Sequence, residues 1–136
     1  MRTKRLVVLP LLFALACKPP SATEQMDSIL SWVGTAAMVG EAWLRHTTPD
    51  KYTFQTLELA HNSIIDTNSG LFKSLPAGID SASLDSALTR STVHIGLMQT
   101  LVEQKASPDF RTMLDSLYSD EKLVKQFADS VEAKDK

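Results

Sequence analysis

Cysteine is almost missing from this sequence: Cys17 is the only one among 136 residues. A lone thiol forms no disulfide within the chain, supplies no thiolate cluster for a structural metal, and excludes the paired-cysteine attachment of haem. Alternating apolar and polar residues are equally scarce, so nothing argues for a β-strand. Prolines are few, and past residue 20 they stand only at Pro49, Pro76 and Pro108, each between periodic stretches. No Lys/Arg cluster is present, and phosphate contact needs one, so nucleic acid is not an expected partner. Gly-x-Ser-x-Gly, a phosphate loop and His-Glu-x-x-His are all absent. Serines are numerous, but none has a base evidently beside it. The reading therefore disfavours an enzyme, and a nucleophilic hydrolase above all.

What is present begins with a three-part leader. Arg2, Lys4 and Arg5 precede an apolar run from Leu6 to Phe13, and the small-residue stretch Ala14-Leu15-Ala16 follows. That is the layout of a secretory signal. The apolar run is too short to span a bilayer, which takes about 20 residues as a helix, so residues 1–16 are expected to be cleaved. An ordinary signal peptidase could cut after Ala16, and the residue that follows, Cys17, decides between the two fates. Removing the leader's three basic residues from 14 Lys and Arg leaves 11 against 16 Asp and Glu, a mature charge near −5.

Ala14-Leu15-Ala16-Cys17 resembles the lipobox of bacterial lipoproteins. The resemblance covers the leader alone. It implies that Cys17 becomes the first mature residue and carries acyl chains on its sulfur and amino group. Several chains, each contributing about 0.8 kcal/mol per buried CH₂, anchor a protein stably where one would not. Membrane lipid is then the first expected partner, reached through Cys17. The position after the cysteine holds Lys18, not the aspartate by which that family marks retention in the inner membrane. The implied location is the cell envelope, on the periplasmic side of the outer membrane where the cell has one.

Lys18-Pro19-Pro20 reads as a short stiff tether, residues 17–20 with the acylated cysteine, because paired prolines hold an extended backbone. The domain proper is residues 21–136. Ser21-Ala22-Thr23-Glu24 matches a capping box. Apolar residues then recur every three or four positions at Met26, Ile29/Leu30, Val33, Ala36/Ala37, Gly40 and Trp43/Leu44, a helix ending near His46. Thr48-Pro49-Asp50 starts a second helix, with threonine as cap and proline at the first helical position. Its stripe is Phe54, Leu57, His61, Ile64/Ile65 and Asn68, and Asn68-Ser69-Gly70 is expected to end it. Residues 71–80 read as a connector with apolar plugs at Leu71, Phe72 and Leu75. A third helix follows Asp80 or Ser81, with Leu84, Ala87/Leu88, Ser91, Ile95, Met98 and Val102 on one side. Ser107-Pro108-Asp109 opens the last, with a fresh start at Ser119-Asp120-Glu121 as one option for its middle. Four long helices with short connections predict an all-α fold, a single up-and-down antiparallel four-helix bundle.

One constellation suggests chemistry. Glu58 and His61 stand three apart on a helix, close enough to bind one ion, and ferritin-like carboxylate proteins use such a pair twice. Here there is no second Glu-x-x-His, and Glu41 lies on a polar stripe with Asp27, Ser31 and Arg45. A simpler site would combine Glu58, His61 and His94, with Glu121 added if the last helix runs unbroken, a donor set suited to zinc or a similar divalent ion. The plainer reading makes His61 a core-edge histidine and His94 a half-exposed one. Asp66-Thr67-Asn68-Ser69-Gly70 fails as a calcium loop, since its glycine comes one position early and Ala77 stands where the bidentate glutamate belongs. The methionines, Trp32, Trp43 and Phe54 fill a bundle core more simply than they line a haem or lipid pocket.

The expected function is therefore a lipid-anchored, extracytoplasmic binding or scaffolding module without a cofactor, its protein partner unspecified. The alternative is a metal-binding or metal-dependent four-helix protein that uses Glu58, His61 and His94 and holds one divalent ion.

Overall fold

Four helices account for nearly all of residues 18–135, the part of the chain that the computed structural model describes. Residues 1–17 and residue 136 lie outside it, so the leader and the lipidation of Cys17 fall outside the described residues. The helices are α1 (Ala22–Leu44), α2 (Asp50–Ser74), α3 (Ser81–Glu103) and α4 (Ser107–Asp135). None of them is long and apolar enough to cross a membrane.

Each start has a local cause. Ser21 Oγ accepts from the Glu24 N–H at 3.1 Å, and Asp80 accepts from the Ser83 N–H at 3.1 Å and its hydroxyl at 2.7 Å. Those bonds satisfy N–H groups that a helix start leaves free. The start of α2 works differently from the expected threonine cap. Pro49 occupies the capping position and its carbonyl accepts from the Thr53 N–H and hydroxyl, while the Thr48 hydroxyl pairs with that of Thr53 at 3.0 Å. α1 and α3 close alike: the N–H groups of His46 and Thr47 reach the carbonyls of Trp43 and Ala42, and those of Lys105 and Ala106 reach Val102 and Leu101. This pair of bonds forces a left-handed residue just past each helix, and His46 (φ 60°) and Lys105 (φ 55°) take that place where glycine is usual.

Connectors of five, six and three residues (45–49, 75–80 and 104–106) make sequential helices antiparallel neighbours. α4 returns to pack against α1, closing a ring in which α1 and α3 barely touch across the middle and α2 and α4 do not. Two poles result. Thr23 bonds Asp135, Gln25 bonds Ser74, and Gly78 lies against Lys134, so the tether, the end of α2, the start of α3 and the end of α4 share one pole. The connectors 45–49 and 104–106 share the other.

The stripes of α1 and α3 are buried as their periodicity predicts. That of α2 is rotated: its buried residues are Thr53, Leu57, Ala60, Ile64 and Leu71, with Phe54 half-buried and Ile65 exposed. Expected in the middle of the apolar face, His61 stands at its edge. Nor does α2 stop at Gly70. Burying Leu71 completely, with Phe72 packed on the core, outweighs the roughly 1 kcal/mol that a glycine costs inside a helix.

At Gly40, α1 packs closely on side chains of both α3 and α4. A methyl group there would stand 3.0 Å from Met98 Cε, 3.2 Å from Phe110 Cε1 and 3.3 Å from Leu114 Cδ1. Overpacking typically costs about 1–3 kcal/mol, against about 1 kcal/mol of helix propensity gained. Gly40→Ala is therefore expected to destabilise the protein by about 1 kcal/mol in urea unfolding, whereas Gly34→Ala, whose nearest neighbour would be Glu121 Oε2 at 3.9 Å, should not.

Candidate functional site

Among the described residues, two clusters of partly or wholly buried charged groups each tie a pair of helices together. Between α3 and α4, Asp120 is only 5% exposed. Its Oδ2 accepts from His94 Nδ1 at 2.5 Å, and its Oδ1 lies 3.7 Å from Arg90 Nε. His94 and Arg90 are one turn apart on α3, so both reach the same carboxylate. This bond sets the imidazole's orientation, with Nδ1 as the donor and Nε2 left for another partner.

The carboxylate opposite His94 is thus Asp120, not Glu121. α4 runs unbroken through Ser119, Asp120 and Glu121. Successive residues lie 100° apart on a helix, so Asp120 faces α3 while half-buried Glu121 faces Gly34 on α1. The signal was in the stripe itself. Leu117 and Val124 are buried on α4, and Asp120, three residues after one and four before the other, falls on the same face.

His61 meets Gly96, its Cδ2 and Nε2 each 3.8 Å from where a glycine Cβ would be, and its Nδ1 lies 3.4 Å from Asn62 Oδ1. Gly96 and His94 are two residues apart on α3, hence on opposite flanks: one turned to α2, the other to α4. Glu58 is exposed. Glu58, His61 and His94 are therefore not gathered around one point. Among the described residues no group of three or more His, Cys, Asp or Glu side chains is arranged to hold an ion. No family model matches the chain, and no curated protein or solved structure is significantly similar to it.

The second charged tie joins α1 to α4. Glu41 receives Arg111 Nη1 at 3.0 and 3.1 Å and the Tyr118 hydroxyl at 3.0 Å, while Arg111 also reaches Asp115 at 3.3 Å. Glu41, read from the sequence as a polar-stripe residue, faces a neighbour instead. Partial burial alone would raise its pKa, but the bonds from Tyr118 and Arg111, with the charges of Arg111 and Arg45, together outweigh that and hold it below the ordinary 4.5. Tyr118 is pushed up, by burial first and then by its bond to the carboxylate.

A lowered folded-state pKa has a definite sign. The tie contributes fully above the unfolded glutamate value and is lost as pH falls through the lower folded one. Comparing wild type with Glu41→Gln in urea melts from pH 7 to pH 3, the wild-type advantage is expected to be constant down to about pH 5 and then to shrink. Its size at neutral pH should be about 1 kcal/mol, since both partners are partly solvated.

Apolar side chains are also left outside the core. Met38 is 75% and Tyr52 57% exposed, flanking a shallow furrow between α1 and α2, and Leu59 continues the Tyr52 stripe two turns on. On the α3/α4 seam, Leu97, Leu101 and Met113 line an open groove of about 360 Å³, edged by Thr100, Gln104, Asp109 and Thr112. Met38, expected among the methionines that fill the core, stands outside it instead, because an apolar residue at the margin of a helical stripe carries the same signal as a buried one.

Proposed function

We propose that the chain is a lipid-anchored binding or scaffolding module of the cell envelope, held by acylated Cys17 and presenting its apolar surfaces away from the bilayer. The observation that carries this reading is the polarity of the bundle. Lys18-Pro19-Pro20 is exposed and leads into Ala22 at one pole, immediately after the cysteine of the lipobox-like stretch. Met38, Tyr52 and the Leu97/Met113 groove lie toward the other pole. A protein anchored at the first pole holds those surfaces out for a partner, and confinement to a membrane raises their effective concentration there.

Cys17→Ser is the direct test. Wild-type protein is expected in the membrane fraction with a mass above that of residues 17–136 by acyl increments, and the variant in the soluble fraction without them. Equal fractionation of the two, or an unmodified wild-type mass, would reject the anchor.

A further inference from the structure

Two of the exposed apolar surfaces lie on opposite sides of the molecule and at the same height, with Ile65 and Val93 exposed outside both. In the ring α1–α2–α3–α4, the α1/α2 seam carrying Met38 and Tyr52 faces away from the α3/α4 seam carrying the groove. Met38 is sixteen residues along α1 from Ala22, and Leu97 is sixteen residues along α3 from Ser81. Both helices start at the tether pole, so each residue stands about 24 Å above it. On the other two helices Tyr52 and Met113 lie within two turns of the far pole.

Charge follows the same register. Arg45, two turns beyond Met38 on the α1 side, and Asp109, at the edge of the groove two residues into α4, are both at the far pole, both exposed, and of opposite sign. Neither makes a close ion pair with another described residue, unlike Arg90, Arg111 and Asp115, although the charge of Arg45 also acts on Glu41.

We propose that the partner of each surface is a second copy of this chain: Met38 and Tyr52 of one molecule seat in the Leu97/Leu101/Met113 groove of the next, and Arg45 meets Asp109. Because the two surfaces differ, the contact is head-to-tail and leaves a free surface at each end, so it propagates into rows or closes into rings and does not stop at a two-fold dimer. Copies standing upright on one membrane would meet with no vertical offset. That shared orientation rests on the lipid-anchor reading, whereas the match of the surfaces does not. A few large side chains on each side fall short of the roughly 1,200 Å² that stable interfaces bury. The contact is therefore weak in solution and depends on confinement to become populated.

The test uses full-length protein in isolated membranes and a short bifunctional maleimide. Copies carrying Arg45→Cys and copies carrying Asp109→Cys, produced together, are expected to cross-link, while either variant alone does not. A single chain with both substitutions should give a ladder of dimers, trimers and larger species. Adding Met38→Asp should remove the ladder without changing the melting temperature, because Met38 touches little of the core. Three results would overturn the proposal: no cross-link in the mixture, cross-linking of one variant to itself as efficient as in the mixture, or products that contain only a different protein. Fractionation of wild type and Cys17→Ser decides the anchor separately. If wild type proves unanchored, the mixed pair is made in a Cys17→Ser background, which removes the one other thiol, and is treated as purified soluble protein at about 1 mM, the effective concentration of a short tether. Mixed-only cross-linking then supports the surface pairing by itself, and its absence rejects it.

Discussion

Phe110→Ala is expected to cost about 4 kcal/mol, the largest loss from any single truncation at the far pole. Phe110 is fully buried in the first turn of α4, its ring centroid 4.6 Å from that of Trp43 at an interplanar angle of 52°. Trp43 cannot readily move into the space left behind. Its indole N–H donates to Asp50 Oδ1 at 2.7 Å, which pins it to the first residue of α2. Three helices therefore meet at this aromatic pair, and a cavity there collapses poorly, which is the condition for the upper part of the large-to-small range. Against a total stability of about 5–15 kcal/mol for a domain of this kind, the loss is roughly a quarter or more. Urea unfolding followed by Trp emission should show a lower midpoint with an unchanged slope. A cost below about 1.5 kcal/mol would mean that the helix ends relax freely and that the pole is not rigidly packed.

Asp120 provides the second large effect, and the direction depends on what replaces it. Removing one partner of a buried ion pair typically costs about 3–5 kcal/mol. Here the partners are less buried, His94 at 21% and Arg90 at 54% side-chain exposure, so water can take over part of their solvation. Asp120→Ala is accordingly expected to cost about 2 kcal/mol. His94→Ala should cost at least as much, because it leaves a nearly buried carboxylate with only a 3.7 Å contact to Arg90. The double replacement Asp120→Leu with His94→Leu should restore stability to near the wild-type level, since apolar residues of similar size continue the stripes of α3 and α4. A double-mutant cycle should give a coupling above about 1 kcal/mol. Simple additivity of the single changes would show that the pair contributes no more than its separate contacts. The same variants also bear on chemistry. With Nδ1 bonded to Asp120, the histidine ties α3 to α4.

Much of this architecture could be read from particular residues. Ser21 and Asp80 announce two helix starts through oxygens that accept nearby N–H groups, and Pro49 and Pro108 mark the other two. The stripes of α1 and α3 are unambiguous because large apolar residues recur along each, Met26, Ile29, Val33 and Trp43 on one and Leu84, Leu88, Ile95 and Met98 on the other. α2 was harder. Its centre runs through Thr53 and Ala60, small or polar residues that carry little signal, while Phe54, His61 and Ile65 on the flank look more like core. Gly70 resembled a stop because the cost of a glycine is local, whereas the burial of Leu71 that overrides it comes from other helices. Asp120 was hidden for a related reason: a carboxylate on an apolar stripe reads as an interruption until a histidine from another helix is placed beside it.

Periodicity, capping oxygens and short proline-marked connectors, all of them local, were enough by themselves to determine four helices, their order and their antiparallel course. Only the tertiary structure decided which flank of each helix met which neighbour. A step of one residue turns a side chain by 100°, and in a closed ring that is the difference between Asp120 bonding to α3 and Glu121 facing α1. The separation of His61 from His94, the tie of Glu41 to Arg111, and the equal heights of two opposed apolar surfaces all follow from that angular choice, which no spacing along the chain encodes.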